Sequence, residues 1–200
     1  MDLKSTFIND VFSKLGFIVD SNYKVIFPEA HLLEVEVSQK MFIKPKVSIE
    51  TPVYSKGPLH VFNYSYYMPT FAGFGLSYSV YTILDIDYHT DLPKLSLETP
   101  SISGGLLNLG YVNLPKPYYK YFILRANNLD IGNYISIENL EDLYKVSSKF
   151  YQNHGFSFEG KRIRVFCYFG ANNLKDLKAM DVFARIAIDL ADRISSAKLR

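Results

Sequence analysis

The spacing of apolar residues predicts a helix at the start of the chain and a series of short strands after it. Apolar positions recur every three or four residues from Asp2 to Leu15, and Gly16 follows where a helix C-terminus favours glycine. Apolar residues then alternate with polar ones over 33–38, which indicates a strand with one wet face. Shorter apolar runs predict strands at 17–19, 23–27, 41–43 and 47–49, the first two forming a hairpin around Asp20-Ser21-Asn22.

Longer apolar segments occupy the middle of the chain. Leu59–Tyr67 and Gly75–Tyr88 are predicted strands, joined by a loop that contains Pro69. A section rich in glycine and proline follows, and Tyr118–Arg125 is the last predicted strand of this part.

Helical spacing returns in the last third. Ser136 is a predicted N-cap of one helix, and Asn173 caps a second, strongly amphipathic helix that runs to Ile194. Between them, Phe156–Phe158 and Arg162–Tyr168 are predicted to form a hairpin around Glu159-Gly160. We expect the second arm to pack on the last helix, whose buried residues include Leu177, Phe183 and Leu190.

These elements predict an α+β protein: an antiparallel β-rich body with an N-terminal helix and a C-terminal α-β-β-α unit. One domain over 1–200 fits this pattern. A division into a β-rich body, 1–127, and an α-β-β-α unit, 128–200, fits it equally well, since asparagine and glycine near 127–133 favour turns.

The segment Gly57–Leu84 departs most from an ordinary soluble sequence. It has no Asp, Glu, Lys or Arg, and eight of its residues are Phe or Tyr. A patch of that kind is normally covered by the core, a second subunit or a ligand. We predict that it contributes to a homodimer interface as well as to the core; an apolar ligand or a protein partner is the alternative cover. The predicted interface residues are Phe62, Tyr64, Tyr66, Tyr67, Phe71 and Phe74.

Composition excludes several classes of protein. Hydrophobic residues make up 48% and charged residues 21%, which excludes wholesale disorder. A net charge of +2 is too small to indicate a nucleic-acid or anionic-membrane partner. Prolines and polar residues interrupt Gly57–Leu84, so we expect no membrane span. Without a signal peptide, and with Cys167 as the sole cysteine, the predicted location is the cytoplasm.

Asp85, Asp87 and His89 form the best candidate for chemistry. Side chains two apart on a strand share a face, so two carboxylates and an imidazole would project together. Such a group can bind a divalent metal, and it would make the protein a metal-dependent enzyme. The simpler interpretation is that Ile86 and Tyr88 face the core while these three face water, and we expect the solvated face. No motif predicts a cofactor, and Cys167 is expected to be buried packing.

A second candidate is a face of basic and tyrosine residues. Such a face could stack single-stranded nucleic acid, although lysine also guards exposed strand edges against aggregation. Because the overall charge is nearly balanced, we do not expect nucleic acid as the partner. The residues are Lys116, Tyr118, Tyr119, Lys120, Tyr121, Arg125, Lys161, Arg162 and Arg164.

The last third also resembles a known family. Tyr121-Phe122-Ile123-Leu124, Ile137-Glu138-Asn139-Leu140, the Lys161–Tyr168 strand and the closing helix are similar to the end of a family of uncharacterised bacterial membrane-associated proteins, a domain of unknown function. The resemblance is one of hydrophobic pattern and implies no activity. Those proteins usually begin with transmembrane helices, which this chain does not show.

The function predicted from the sequence is therefore non-enzymatic. We expect an interaction or ligand-binding domain whose aromatic surface associates with itself or with an apolar partner. The metal-dependent enzyme and the binding of single-stranded nucleic acid are the two alternatives.

Overall fold

The computed structural model describes residues 3–25, 46–69, 76–99, 111–126, 129–147, 154–168, 170–171 and 173–198. The predicted α+β class is confirmed: a helix opens the chain, antiparallel strands form its body, and helices lie near its end. The elements are α1 (Leu3–Lys14), β1 (Ile18–Val19), β2 (Lys46–Ile49), β3 (Tyr54–Lys56), β4 (Leu59–Pro69), β5 (Leu76–Glu98), β6 (Tyr111–Val112), β7 (Ile123–Ala126), α2 (Ile137–Ser147), β8 (His154–Tyr168) and α3 (Leu174–Lys198).

Strand β5 organises the sheet because it is long enough to have different neighbours along its length. Its first half pairs with β4, from Leu59 opposite Ile86 to Pro69 opposite Leu76. Its second half pairs with β7, and β8 runs along its other edge throughout. Outside β4 lie β2 and β3, β1 pairs with β3, and β6 pairs with β7. All of these pairings are antiparallel.

The hairpin predicted at 156–168 is instead one bent strand. Both arms of β8 pair with β5, and the register shifts between Asp87 and Leu95. Gly160 has a φ of 59°, a conformation that glycine adopts readily, where β8 bends. A Cβ atom at Gly155 would overlap the ring of Phe166. Gly155 and Phe166 would be about 36 Å apart in a straight strand, so their contact shows that β8 is sharply bent.

Two other predicted strands differ from the structure. Ile18–Val19 does not pair with the segment after Asp20; it pairs with Tyr54 and Ser55 of β3. Within Tyr118–Arg125, the first residues form a 3-10 helix, Tyr118–Lys120, before β7 begins at Ile123. The strands predicted at 33–38 and 41–43 lie outside the described residues.

One face of the sheet packs against α3 and forms the main core. Phe183, Leu190 and Cys167 are fully buried there, as predicted, whereas Leu177 is only partly buried. Asn173 caps α3, its side-chain oxygen accepting hydrogen bonds from the N–H groups of Lys175 and Asp176 at 2.9 and 3.1 Å. The predicted packing of α3 on β8 is confirmed.

The opposite face carries a second apolar cluster, and the charge-free segment supplies much of it. Phe62 is 1% and Tyr64 is 2% exposed, so the chain itself covers these two predicted interface residues. Tyr64 and Tyr81 are stacked, with ring centroids 5.1 Å apart. The side chains of Tyr66 and Tyr67, and residues Phe71 and Phe74, lie outside the described part of the chain. The buried members of the cluster are Val53, Phe62, Tyr64, Tyr81, Ile83 and Phe166, with Tyr23 and Val25 packed on them.

Candidate functional site

A buried ion pair lies beside this second cluster. Asp85 of β5 and Arg164 of β8 are cross-strand neighbours, 0% and 1% exposed. Nε of Arg164 donates to Oδ1 of Asp85 at 2.6 Å, and a second nitrogen donates to Oδ2 at 3.0 Å. Burial acts to lower the pKa of the guanidinium, but the hydrogen bonds and charge of Asp85 outweigh it and raise that pKa. The guanidinium of Arg164 therefore stays charged.

Tyr23 covers the ion pair from the segment after β1. Its hydroxyl donates to Oδ2 of Asp85 at 3.0 Å, and its ring stacks on His60 with centroids 3.9 Å apart. Burial, and then the negative charge of Asp85, raise the pKa of the Tyr23 hydroxyl. The hydroxyl therefore stays a hydrogen-bond donor in any ordinary buffer.

His60, a residue of no expected role, extends the polar cluster. It lies opposite Asp85 in the register of β4 and β5 and is 7% exposed. Its Nδ1 lies 2.7 Å from the hydroxyl of Ser55, and its Nε2 lies 3.2 Å from Oδ2 of Asp87. No local sequence pattern points to His60: the pairing of β4 with β5 places it opposite Asp85 and within reach of Asp87.

Serine, histidine and aspartate in contact suggest nucleophilic catalysis, but Ser55 also bonds to the carboxylate of Asp20, which differs from that arrangement. A nucleophilic serine gives its proton to the histidine. Ser55 donates its single proton to Oδ2 of Asp20, 2.9 Å away, so its oxygen is left to accept from His60. Ser55 and His60 therefore position one another instead of forming a nucleophile and its base.

The predicted metal ligands do not come together as a site. Asp85 and Asp87 share a face and Ile86 is buried on the other, as alternation predicts. Asp85 is not solvated, which corrects our expectation, and both of its oxygens already accept hydrogen bonds. Asp87 and His89 are exposed. Across the described residues, no three His, Cys, Asp or Glu side chains are grouped to hold a metal ion.

The predicted basic-aromatic face is divided by the fold. Arg164 is buried with Asp85, Arg125 lies 3.7 Å from Glu98, and Tyr118 is 8% exposed. These three cannot join a common surface for stacked bases. Within the described turn before β7, Lys116, Tyr119, Lys120 and Tyr121 remain exposed.

Beside the polar cluster, the surface forms an open depression with a volume of about 410 Å³. Arg162 lies between the two features, with NH1 3.8 Å from Asp85 and Nε 3.9 Å from Asp87. Its guanidinium carbon is 5.5 Å from the centre of the Tyr23 ring. The residues that line the depression are Asp87, Tyr88, Glu159, Lys161 and Arg162.

Fold and site together define an α+β protein with a buried ion pair, Asp85–Arg164, in its central sheet. No protein-family model matches the chain, and no curated protein is significantly similar to it in sequence. The chain is similar in structure to the crystal structure of the mycobacterial trehalose monomycolate transport factor A, with a TM-score of 0.51 and 6% identity. The likeness covers 97% of this chain and 96% of that one. At this identity it shows a shared fold.

No described helix is both long and apolar enough to cross a bilayer. The resemblance of the last third to an uncharacterised membrane-associated family stays a prediction.

Proposed function

We propose that this chain is a non-enzymatic, lipid-associated binding domain. The observation that carries the proposal is the fold, which follows that of a trehalose monomycolate transport factor along nearly the whole of both chains. The polar cluster agrees with a non-enzymatic role, because Asp85 and Arg164 bond to each other and His60 contacts Ser55 and Asp87. The cytoplasmic location predicted from the sequence is kept as part of this proposal.

An exposed tyrosine-lysine turn is the surface that we propose lies against a bilayer. Tyr119 is 49% and Tyr121 is 39% exposed, and Lys120 lies between them with its ammonium 5.9 Å from the Tyr119 ring. Tyrosine favours the interface between lipid and water, and lysine is attracted to anionic headgroups. This attraction is local to the turn, because the net charge of +2 over the whole chain is too small to predict an anionic-membrane partner. The buried side chains of Tyr118 and Phe122 hold this turn in place.

Vesicle flotation tests the proposal. Purified protein is mixed with vesicles of phosphatidylcholine, or of equal parts phosphatidylcholine and phosphatidylglycerol, and floated through a density gradient. We expect flotation with the anionic vesicles and its loss in a Tyr119→Ser/Tyr121→Ser double variant. Leu174→Ser is the matched control, since Leu174 is an exposed apolar residue of α3 at 70% exposure. Failure of the natural protein to float with either vesicle would overturn the proposal.

Self-association is the finer part of the proposal. The homodimer predicted from the charge-free segment needs a surface other than Phe62 and Tyr64, which the core covers. Among the described strands, β1 lies at the edge of the sheet and offers one: Ile18 is 71% and Val19 is 60% exposed, and Leu15 is 53% exposed. Exposed apolar edge strands favour pairing with a second chain.

A further inference from the structure

We propose that the depression lined by Asp87, Tyr88, Glu159, Lys161 and Arg162 binds a neutral polyhydroxylated group, such as a sugar. The inference deepens the proposed function, since it assigns a headgroup chemistry to a lipid-associated domain. The supporting observations are the charge balance of the lining, the partly exposed guanidinium of Arg162 and the ring of Tyr88.

The charges around the depression cancel. Asp87 and Glu159 supply two carboxylates, and Lys161 and Arg162 supply two cations. A phosphate or carboxylate ligand would meet two like charges, and so would a metal ion. A hydroxyl group both donates and accepts, so a polyol can bond to carboxylates and to cations in one site.

Arg162 supplies a guanidinium that is held at the depression by long contacts. Its Nη1 is turned inward, 3.8 Å from the buried Asp85, and its Nε lies 3.9 Å from Asp87, distances that are long for hydrogen bonds although the charges attract. The Tyr23 ring lies beneath it, 5.5 Å from the guanidinium carbon. The side chain is 19% exposed, and a ligand in the depression would meet this exposed part.

Tyr88 supplies an aromatic wall of fixed orientation. Its hydroxyl donates to Oδ1 of Asp192 on α3 at 2.6 Å, and its ring is half-buried against the main core. The apolar C–H face of a sugar ring can pack on an ordered aromatic ring, while the charged side chains around the depression hydrogen-bond to the sugar hydroxyls. Polar groups that converge on an apolar wall are the usual composition of a small-ligand site.

Two probes separate a free sugar from a lipid headgroup. Trehalose is titrated into the protein by calorimetry. In parallel, flotation compares phosphatidylcholine–phosphatidylglycerol vesicles with and without added digalactosyldiacylglycerol. We expect a response to at least one probe, and in Glu159→Gln and Lys161→Gln a loss of at least about tenfold in affinity, as removal of a charged hydrogen bond predicts. Asp181→Asn is the matched control, because it removes one exposed ion pair elsewhere, on α3.

A second pair of variants tests the aromatic wall separately from the charges. Tyr88→Phe keeps the ring packed on the main core and loses only the hydrogen bond to Asp192, so it should bind the responding probe more weakly than the natural protein. Tyr88→Leu removes the ring and should bind more weakly still, although thermal melting shows it folded. Response to trehalose alone assigns the site to free sugars, and response to the glycolipid alone assigns it to headgroups. If neither probe is bound, or the lining variants bind as tightly as Asp181→Asn, the inference is overturned. Flotation with anionic vesicles would still stand in that case, so the two proposals fail separately.

Discussion

At the scale of single residues, a buried ion pair stabilises the second face of the sheet, and aromatic side chains lie around it. Asp85 and Arg164 are completely enclosed, and each would be an unpaired buried charge without the other. Charges in that position are retained only with well-aligned partners. Arg164, Tyr23 and Arg162 supply those partners for Asp85. The alignment of β5 with β8 therefore depends on this pair as well as on backbone hydrogen bonds.

Asp85→Asn should lower the free energy of unfolding by about 3–5 kcal/mol, because it removes the buried counter-charge of Arg164 and leaves only the partly exposed Glu159, 3.6 Å away. Urea denaturation followed by circular dichroism measures the change. Asp181→Asn, at an exposed pair with Arg185, is the control and should change stability by less than about 1 kcal/mol. Equal effects of the two substitutions would contradict the structural role of the buried pair.

At the scale of elements, α3 is the main cover of the sheet. Asn173 begins the helix, and a face of small and large apolar residues then packs on β8 and β5. On the wet side, Arg185 and Arg193 each pair with an aspartate four residues earlier, at 3.3 and 3.0 Å. Such pairs add little energy individually. The position of α3 is therefore decided by its buried face.

Phe183→Ala tests that dependence. Phe183 is fully buried, with its ring centre 5.8 Å from that of His154 on β8, so its removal leaves a cavity between helix and sheet. We expect a loss of about 3–5 kcal/mol in the free energy of unfolding. Leu174→Ala, at the exposed start of the same helix, should cost less than about 0.5 kcal/mol in the same urea titration. A loss below about 1 kcal/mol for Phe183→Ala would contradict the packing of α3 in the core.

At the scale of the whole molecule, the sheet is covered on both faces. Helix α3 covers one, and the described residues that cover the other include Tyr23, Val25 and Val53. The apolar surface that remains exposed beside β1, at Leu15, Ile18 and Val19, lies at a sheet edge instead of on a sheet face. Association through that edge would extend the sheet from one chain into the next.

We expect multi-angle light scattering at ~100 µM protein to find a dimer, since an interface of standard size holds together well below that concentration. Ile18→Lys places a charge on the exposed edge strand and should shift the protein to monomer if β1 is the contact. If this variant remains a dimer, the interface lies on another surface, and the undescribed part of the charge-free segment is one candidate. A strict monomer for the natural sequence would defeat the homodimer.

The sequence by itself determined the elements whose signals are local. The helix caps at Ser136 and Asn173, the buried face of α3 and the burial of Cys167 depend on residues close together in the chain, and the structure confirms them. The α+β class followed from the same signals.

Only the tertiary structure decided which distant residues meet. Asp85 and Arg164 were assigned to two different candidate sites, because alternation gives the face of a side chain but not the strand that lies beside it. One local feature indicates a buried pair: Asp85 and Arg164 are each flanked by apolar residues in their own strand. The two arms of β8 read as a hairpin for the same reason: a turn sequence at Glu159-Gly160 is equally suited to a sharp bend, and the long partner β5 decided between them.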